Sequence, residues 1–274
     1  MALIWVNGAL HDRDSARLSV LDHGLTVGDG VFETLKVQDG RAFALTRHLD
    51  RLAVSARGLG LEAPDLGLVR HACEAVLEAN PVAHGRLRLT CTAGRSPLSS
   101  ERGGEELSLV VAVDPCGPAA PSTAAITVPW VRNERGALTG LKTTSYAENV
   151  VALARAHRSE ASEAVFANTA GQLCEGTGTN VFVAVDGELH TPPLAAGPLA
   201  GITRALVLEW VGAHETDLPF DVLERADEIF LTSSLRDVQA VHRLDGRDLP
   251  DAPGPLTAKA QRVFAERSAA DIDP

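Results

Sequence analysis

The sequence predicts a two-domain α/β (α+β) chain. Three observations predict it: strand-like runs alternate with helix-period segments, a proline-rich stretch divides them, and the length suits two modest domains. The chain has 274 residues, and a domain typically takes about 150. Hydrophobic residues make up 45% and charged residues 22%, so the chain can bury a sizeable core and is not of disordered composition.

The first third reads as follows. Leu3–Val6 and Val31–Val37 alternate as strands, and Arg41–Leu45 completes a hairpin across Gln38-Asp39-Gly40, where Asp-Gly is a strong turn signal. A helix starts at Thr46 with apolar residues at Leu49, Leu52, Ala53 and Ala56, and Gly58 and Gly60 stop it. A second helix covers about 65–79 before Pro81, and strands follow at Arg86–Thr92 and Leu107–Val113. Asp114-Pro-Cys-Gly-Pro-Ala-Ala-Pro121 then holds three prolines and a glycine. It places a linker at 116–123, between a small N-terminal α/β domain (1–115) and a larger C-terminal mixed-sheet domain (124–274).

Beyond the linker come a strand at Ala125–Val128, a glycine-bearing segment ending at Lys142, and a helix from Tyr146 to about Ser159. Ala164–Ala167 and Asn180–Val185 read as strands, a helix follows Gly201, and a strand at Glu228–Leu231 leads into Thr232-Ser-Ser234. The last helix spans about 256–268.

Several function classes are excluded or disfavoured at once. A net charge of −11 disfavours a nucleic-acid or anionic-membrane partner, and no apolar run is long enough to span a bilayer. The opening Met-Ala-Leu-Ile-Trp-Val-Asn-Gly lacks a basic-then-apolar pattern, so the expected location is the cytoplasm. Four scattered cysteines and nine histidines form no Cys-x-x-Cys and no His-x-x-x-His, which leaves no metal motif.

Of 25 basic residues only Lys36, Lys142 and Lys259 are lysines. Lys36 sits in an alternating strand and Lys259 on a polar helix, the ordinary settings of a solvated ammonium. Lys142 follows the loop from Gly136 to Gly140 and precedes the polar run Thr143-Thr144-Ser145-Tyr146. It is either a surface loop lysine or an amine turned into a cavity, where burial lowers its pKa enough for attack on a carbonyl. Four more segments carry the same two-way reading. Glu175 opens Glu-Gly-Thr-Gly-Thr-Asn-Val-Phe182, a glycine-rich hairpin or a carboxylate buried against a cationic ligand. Ile202 and Thr203 open a helix, where Thr203 caps the helix or the free amides bind phosphate. Thr232-Ser233-Ser234 is a hydroxyl turn or a ligand contact. Arg47 and Arg51 share a helix face, toward water or toward an anion.

The order of these segments, from Val6-Asn-Gly8 and Gly28-Asp-Gly-Val-Phe-Glu-Thr34 to Ser233-Ser-Leu-Arg236, resembles the fold-type IV (class IV) family of pyridoxal-phosphate enzymes. Branched-chain aminotransferases, D-amino-acid transaminases and aminodeoxychorismate lyases are members. The resemblance implies pyridoxal 5'-phosphate in a cleft of a two-domain fold, and a homodimer. It makes Lys142 the catalytic Schiff-base lysine and Glu175 the partner of the pyridine nitrogen. It gives Arg51, Ser234 and the amides of Ile202 and Thr203 to the cofactor phosphate, and Tyr146 to the phenolic oxygen. Many members place an arginine directly before a glycine after the strand at 86–92; here Ala93 precedes Gly94. Arg88, Arg95 and Arg102 are therefore the candidates for a substrate carboxylate. Phe32-Glu-Thr34 resembles the lyases and D-amino-acid transaminases more than the branched-chain enzymes, and Ser233-Ser-Leu235 resembles the lyases, so the expected reaction is release of pyruvate and 4-aminobenzoate from 4-amino-4-deoxychorismate. The alternative is amino transfer from branched-chain or D-amino acids to 2-oxoglutarate.

Overall fold

The computed structural model describes residues 2–104, 106–249 and 252–274. They form two compact units, one of residues 1–117, 141–145 and 272–274, the other of 118–140 and 146–271.

The first unit contains β1 (Leu3–Val6), β2 (Ala9–Asp12), α1 (His23–Thr26), β3 (Gly30–Gln38), β4 (Arg41–Ala42), α2 (Leu45–Gly58), α3 (Leu66–Ala79), β5 (His84–Thr92) and β6 (Ser108–Pro115). Its strands form one antiparallel sheet ordered β2-β1-β6-β5-β3-β4. The β3–β4 hairpin turns where Asp-Gly predicts it, with Asp39 and Gly40 both at positive φ, the geometry of the tight turn that matches strand twist. Helices α2 and α3 each bury an apolar stripe. Leu45, Leu49, Leu52 and Ala56 from one and Val69, Ala72, Cys73 and Val76 from the other close over Val31, Leu35, Leu87, Leu89 and Val111 of the sheet. Asp65 caps α3, accepting from the amides of Gly67 and Leu68. Helix α2 lacks such a cap, because Ala44 sits in the left-handed region. Asp273 takes its place, accepting the Thr46 amide at 2.8 Å and the Thr46 hydroxyl at 2.6 Å.

The second unit contains β7 (Ser122–Arg132), α4 (Ala147–Arg158), β8 (Glu163–Asn168), β9 (Leu173–Gly176), β10 (Asn180–Val185), β11 (Glu188–Thr191), α5 (Ile202–Val211), β12 (His214–Glu215), α6 (Val222–Arg225), β13 (Glu228–Ser233), β14 (Asp237–Leu244), β15 (Arg247–Asp248) and α7 (Pro255–Ala270). Its sheet is mixed, ordered β12-β11-β10-β13-β14-β7-β8-β9, with β15 paired to β14. Pairs β7–β8, β14–β7 and β11–β12 are parallel. The central strands read as nearly continuous apolar runs, as Asn-Val-Phe-Val-Ala-Val in β10, because both faces are covered. No described helix is long and apolar enough to cross a membrane.

The expected mixture of helix and strand is present. Differences lie at element ends and in short strands. β7 runs to Arg132, four residues past the expected end, and β9 occupies Leu173–Gly176, which composition marks only as a glycine-rich loop.

Candidate active site

Strand β3 pairs with β5 along its whole length, but on its other side β4 covers only Val37 and Gln38. The edge left open at the start of β3 takes up the segment that carries Lys142. The Phe32 amide donates to the Lys142 carbonyl at 3.1 Å and the Thr144 amide to the Gly30 carbonyl at 2.8 Å. Thr143 bridges Val31, and the Lys142 amide donates to Ser55 Oγ on α2 at 3.1 Å. Main-chain bonds thus fix the lysine from both sides, and its half-buried amine lies 4.3 Å from the centre of the Phe32 ring. Lys142 is not a mobile surface lysine.

Beneath it lies a buried ionic cluster. Glu33 is fully buried on β3 and accepts two bonds from Arg51, Nε at 2.8 Å and Nη2 at 2.6 Å. His48 Nδ1 lies 2.7 Å from the other face of the same carboxylate. Burial alone would raise the Glu33 pKa. The charge and hydrogen bonds of Arg51, with the hydrogen bond from His48, outweigh it and hold the carboxylate at about 2. Burial pushes His48 the other way, below the ordinary imidazole value, and the charges of Arg51 and Lys142 push it further. His48 is therefore a neutral donor from Nδ1 at pH 7. Nε and Nη2 of Arg51 are thus oriented by Glu33.

The three arginines expected at a substrate carboxylate part company. Arg88 places its guanidinium 3.8 Å from the Phe32 ring centre, the ring that Lys142 also faces. Arg95 is exposed, its backbone bridged to Asp22. Arg102 is engaged elsewhere: it pairs with Asp29 at 2.7 and 2.8 Å and donates to the carbonyls of Leu59 and Gly60. Asp29 also accepts from buried His23, whose other nitrogen donates to the Ser99 carbonyl. Two acceptors on one ring require an imidazolium. The Ser99 bond first, then Asp29, raises the His23 pKa. This Arg102–Asp29–His23 chain ties loop 95–104 to the end of α2 and explains the arginine as a structural clamp.

In the second unit Glu175 stands on β9 opposite Phe166, next to a bulge that sets its direction. Its Oε2 accepts from the Leu199 amide at 2.9 Å, and Oε1 lies 3.5 Å from Arg132 Nε. The Arg132 guanidinium carbon lies over the Phe166 ring, 4.1 Å from its centre, and the side chain donates to Glu148 and Asn149. A partly buried carboxylate needs a cation, and Arg132 is the one that sequence reasoning missed. The loop that reaches Glu175 continues into α5. Asn180 Nδ2 donates to the Leu199 carbonyl at 2.9 Å, and Gly201, not Thr203, is the cap residue, with no side chain to satisfy the first amides. Those of Ile202 and Thr203 have no intrahelical acceptor, as at any helix start. Thr232 pairs with Asn180 across β13 and β10. Its buried hydroxyl has no hydrogen-bond partner among the described residues. Ser234 lies just past the end of β13, and Tyr146 is half-buried at the start of α4.

These features fit the expected cofactor. In the first unit an oriented amine suits an aldehyde; in the second a cation-backed carboxylate suits a pyridine nitrogen, and open helix amides suit a phosphate. Among the described residues no cluster of ligand-type side chains suits a metal ion.

Comparison with known proteins gives the same direction. The family model for amino-transferase class IV matches residues 30–244. A putative branched-chain-amino-acid aminotransferase of Methanocaldococcus jannaschii is 33% identical, over 96% of this chain and 95% of that protein. A bifunctional aminodeoxychorismate lyase / D-amino acid transaminase of Mycobacterium tuberculosis is 35% identical, over 87% and 88%. Among solved structures, the PLP-bound form of a hypothetical aminotransferase from Mycobacterium tuberculosis is 30% identical and covers 97% of this chain and 100% of that one, with a TM-score of 0.85.

Proposed function

Because the chain belongs to the class IV aminotransferase family, we propose that it is a pyridoxal-phosphate-dependent aminotransferase, moving an amino group from a branched-chain or D-amino acid to 2-oxoglutarate. The observation that carries this reading is the Lys142 amine, pinned to the edge of β3 beside Phe32. When bound, pyridoxal phosphate supplies an aldehyde that condenses with amines and a ring that accepts electrons released at the substrate's α-carbon.

The chain's own residues do the rest. Lys142 Nζ holds the cofactor and, once released, carries a proton from the α-carbon and returns it. Glu175, beside Arg132, holds a proton on the ring nitrogen. Arg51, the amides of Ile202 and Thr203, and Ser234 bind the phosphate, while Tyr146 donates to the phenolic oxygen. Glu33 and His48 hold the Arg51 fork in one orientation. Arg88 is the stronger candidate for a substrate carboxylate, since Arg102 is engaged by Asp29.

The lyase expected from Phe32-Glu-Thr34 moves to second place. Transamination is named for both relatives above and lyase activity for one of them, together with a transaminase. That bifunctional relative keeps the lyase as a second reading. The test is the purified protein with pyridoxal phosphate, incubated with leucine or D-alanine and 2-oxoglutarate while glutamate is measured. A parallel incubation with 4-amino-4-deoxychorismate is assayed for 4-aminobenzoate. Glutamate formation that Lys142→Ala abolishes supports the proposal; 4-aminobenzoate with no glutamate from either donor restores the lyase. The proposal includes a homodimer, which sedimentation velocity checks.

A further inference from the structure

Glu163 is the first residue of β8 and is 1% exposed. Among the described residues no cation lies within ion-pair distance of it, yet its carboxylate is fully engaged. Oε1 accepts from the Ala164 amide at 3.0 Å, the Thr177 amide at 2.9 Å and the Thr177 hydroxyl, and Oε2 accepts from the Thr179 hydroxyl at 3.0 Å. All four donors are neutral, and three belong to the turn that follows Glu175. A carboxylate buried without a cation persists only where its donors are placed beforehand, so it and the turn hold each other in one arrangement.

The turn has little freedom left. The Gly176 amide donates to the Thr179 carbonyl at 2.8 Å, and a Cβ at Gly176 would overlap the Thr179 hydroxyl and press on the Glu163 carboxyl carbon. The Thr177 carbonyl accepts from Asn149 Nδ2, and Asn149 in turn accepts from Arg132, which flanks Glu175. Glu163 is thus connected to Glu175 by two routes: along the chain through Gly176, and through Thr177, Asn149 and Arg132.

We propose that Glu163 is a positioning residue for Glu175: its carboxylate fixes the 176–179 turn, and the turn sets the direction in which Glu175 meets the cofactor ring. This rests on the role given to Glu175 above. The work is done by accepted hydrogen bonds and not by charge, so an amide can replace the carboxylate. In Glu163→Gln the carbonyl oxygen keeps the three donors at Oε1, and the Thr179 hydroxyl rotates to accept from the new NH2. Glu163→Ala leaves those donors with nothing.

The test compares Glu163→Gln, Glu163→Ala and Glu175→Gln by cofactor dissociation constant and by pH titration of the visible absorption of the protein loaded with pyridoxal phosphate. The expected result is a loss of tenfold or more in cofactor affinity and a displaced titration for Glu163→Ala, in the same sense as Glu175→Gln. Glu163→Gln restores the wild-type spectrum and affinity to within about threefold. If Glu175→Gln changes both readouts while Glu163→Ala lowers only the melting temperature, Glu163 is merely structural and the inference fails. If Glu163→Gln is as impaired as Glu163→Ala, charge and not geometry matters, and the inference fails as well. If Glu175→Gln itself changes neither readout, the role of Glu175 is overturned instead, and this proposal falls with it. Should Glu163→Ala not fold, Gly176→Ala, which displaces the Thr179 hydroxyl from the same carboxylate, decides by the same readouts.

Discussion

Replacing Glu33 with glutamine keeps its shape and removes its charge. Arg51, whose side chain is 11% exposed, then loses the counter-charge of Glu33. The size of the effect follows from the carboxylate's titration. Its pKa falls from an ordinary 4.5 to about 2 in the folded chain, and one pKa unit corresponds to about 1.4 kcal/mol, which gives about 3 kcal/mol at neutral pH. The same figure is the lower end of the roughly 3–5 kcal/mol observed when one partner of a buried pair is removed. With an unfolding entropy of about 2 cal/mol/K per residue, the melting temperature drops by about 5 °C. Because the folded pKa is depressed, the contribution is complete above about pH 4.5 and is lost as pH falls toward 2; at pH 3 about half remains. Urea unfolding, followed through buried Trp5 of the same unit, measures it. The gap between wild type and Glu33→Gln is expected to narrow by about half from pH 7 to pH 3. Glu33→Gln with Arg51→Met is expected to be more stable than Glu33→Gln alone. A gap below about 1 kcal/mol at pH 7, or one that ignores pH, would refute the assignment of a charge-paired Glu33.

The other predictions are shorter. His23 has a raised pKa, so its contribution is complete below about 6.5, the unfolded value, and is lost as pH rises through the folded value; His23→Asn removes that alkaline slope from a series of melting curves. Asp273→Ala uncaps α2 and costs about 1 kcal/mol by urea unfolding. Gly201→Ala drives a Cβ into Asn180 Oδ1 and shifts the start of α5; the expected readout is a cofactor dissociation constant raised at least tenfold, and an unchanged constant removes α5 from the phosphate site. Arg132→Met removes the guanidinium beside Glu175, and the pH at which the bound cofactor's absorption titrates is expected to move.

What the sequence reveals of this site depends on how far apart the partners lie along it. Lys142 is legible because three lysines leave few alternatives and glycines flank its loop. The start of α5 is legible because Gly-Ile-Thr-Arg opens an apolar periodic run. The partners of these residues are not legible, since each arrives from a distant segment. Ser55, which holds the Lys142 amide, is 87 residues away, and Glu33 is 18 from Arg51. A local signal did exist for Glu33, an acid in the apolar run Val-Phe-Glu-Thr-Leu, and for the arginine three residues after His48 on one helical face. Only the pairing of β3 with α2 joins them. Arg102 shows the same limit: its place after the strand at 86–92 makes it a candidate for a substrate carboxylate, while its pairing with Asp29, 73 residues away, is visible only in the fold.

The buried and partly buried acids separate into two kinds. Asp22 accepts from Thr92, Ser108 and the Gly24 amide, Glu228 from the amides of Leu256 and Thr257 at the start of α7, and Glu163 from the 176–179 turn. All three are satisfied by neutral donors, whose geometry a folded backbone fixes without adding charge. Glu33, Glu175 and Asp29 instead face arginines, Arg51, Arg132 and Arg102. Folding alone does not require this, since neutral donors suffice elsewhere in the same chain and a buried ion pair is weak evidence for stability. An ion pair does what a neutral network does not: it keeps a carboxylate charged and a guanidinium fixed while a third, charged group comes and goes. Of the acids paired in this way, Glu33 lies beside Arg51, proposed to bind the cofactor's phosphate, and Glu175 is itself proposed to meet the ring nitrogen, while Asp29 ties a loop to the end of α2. A buried acid with only neutral donors, such as Glu163, then acts by shape.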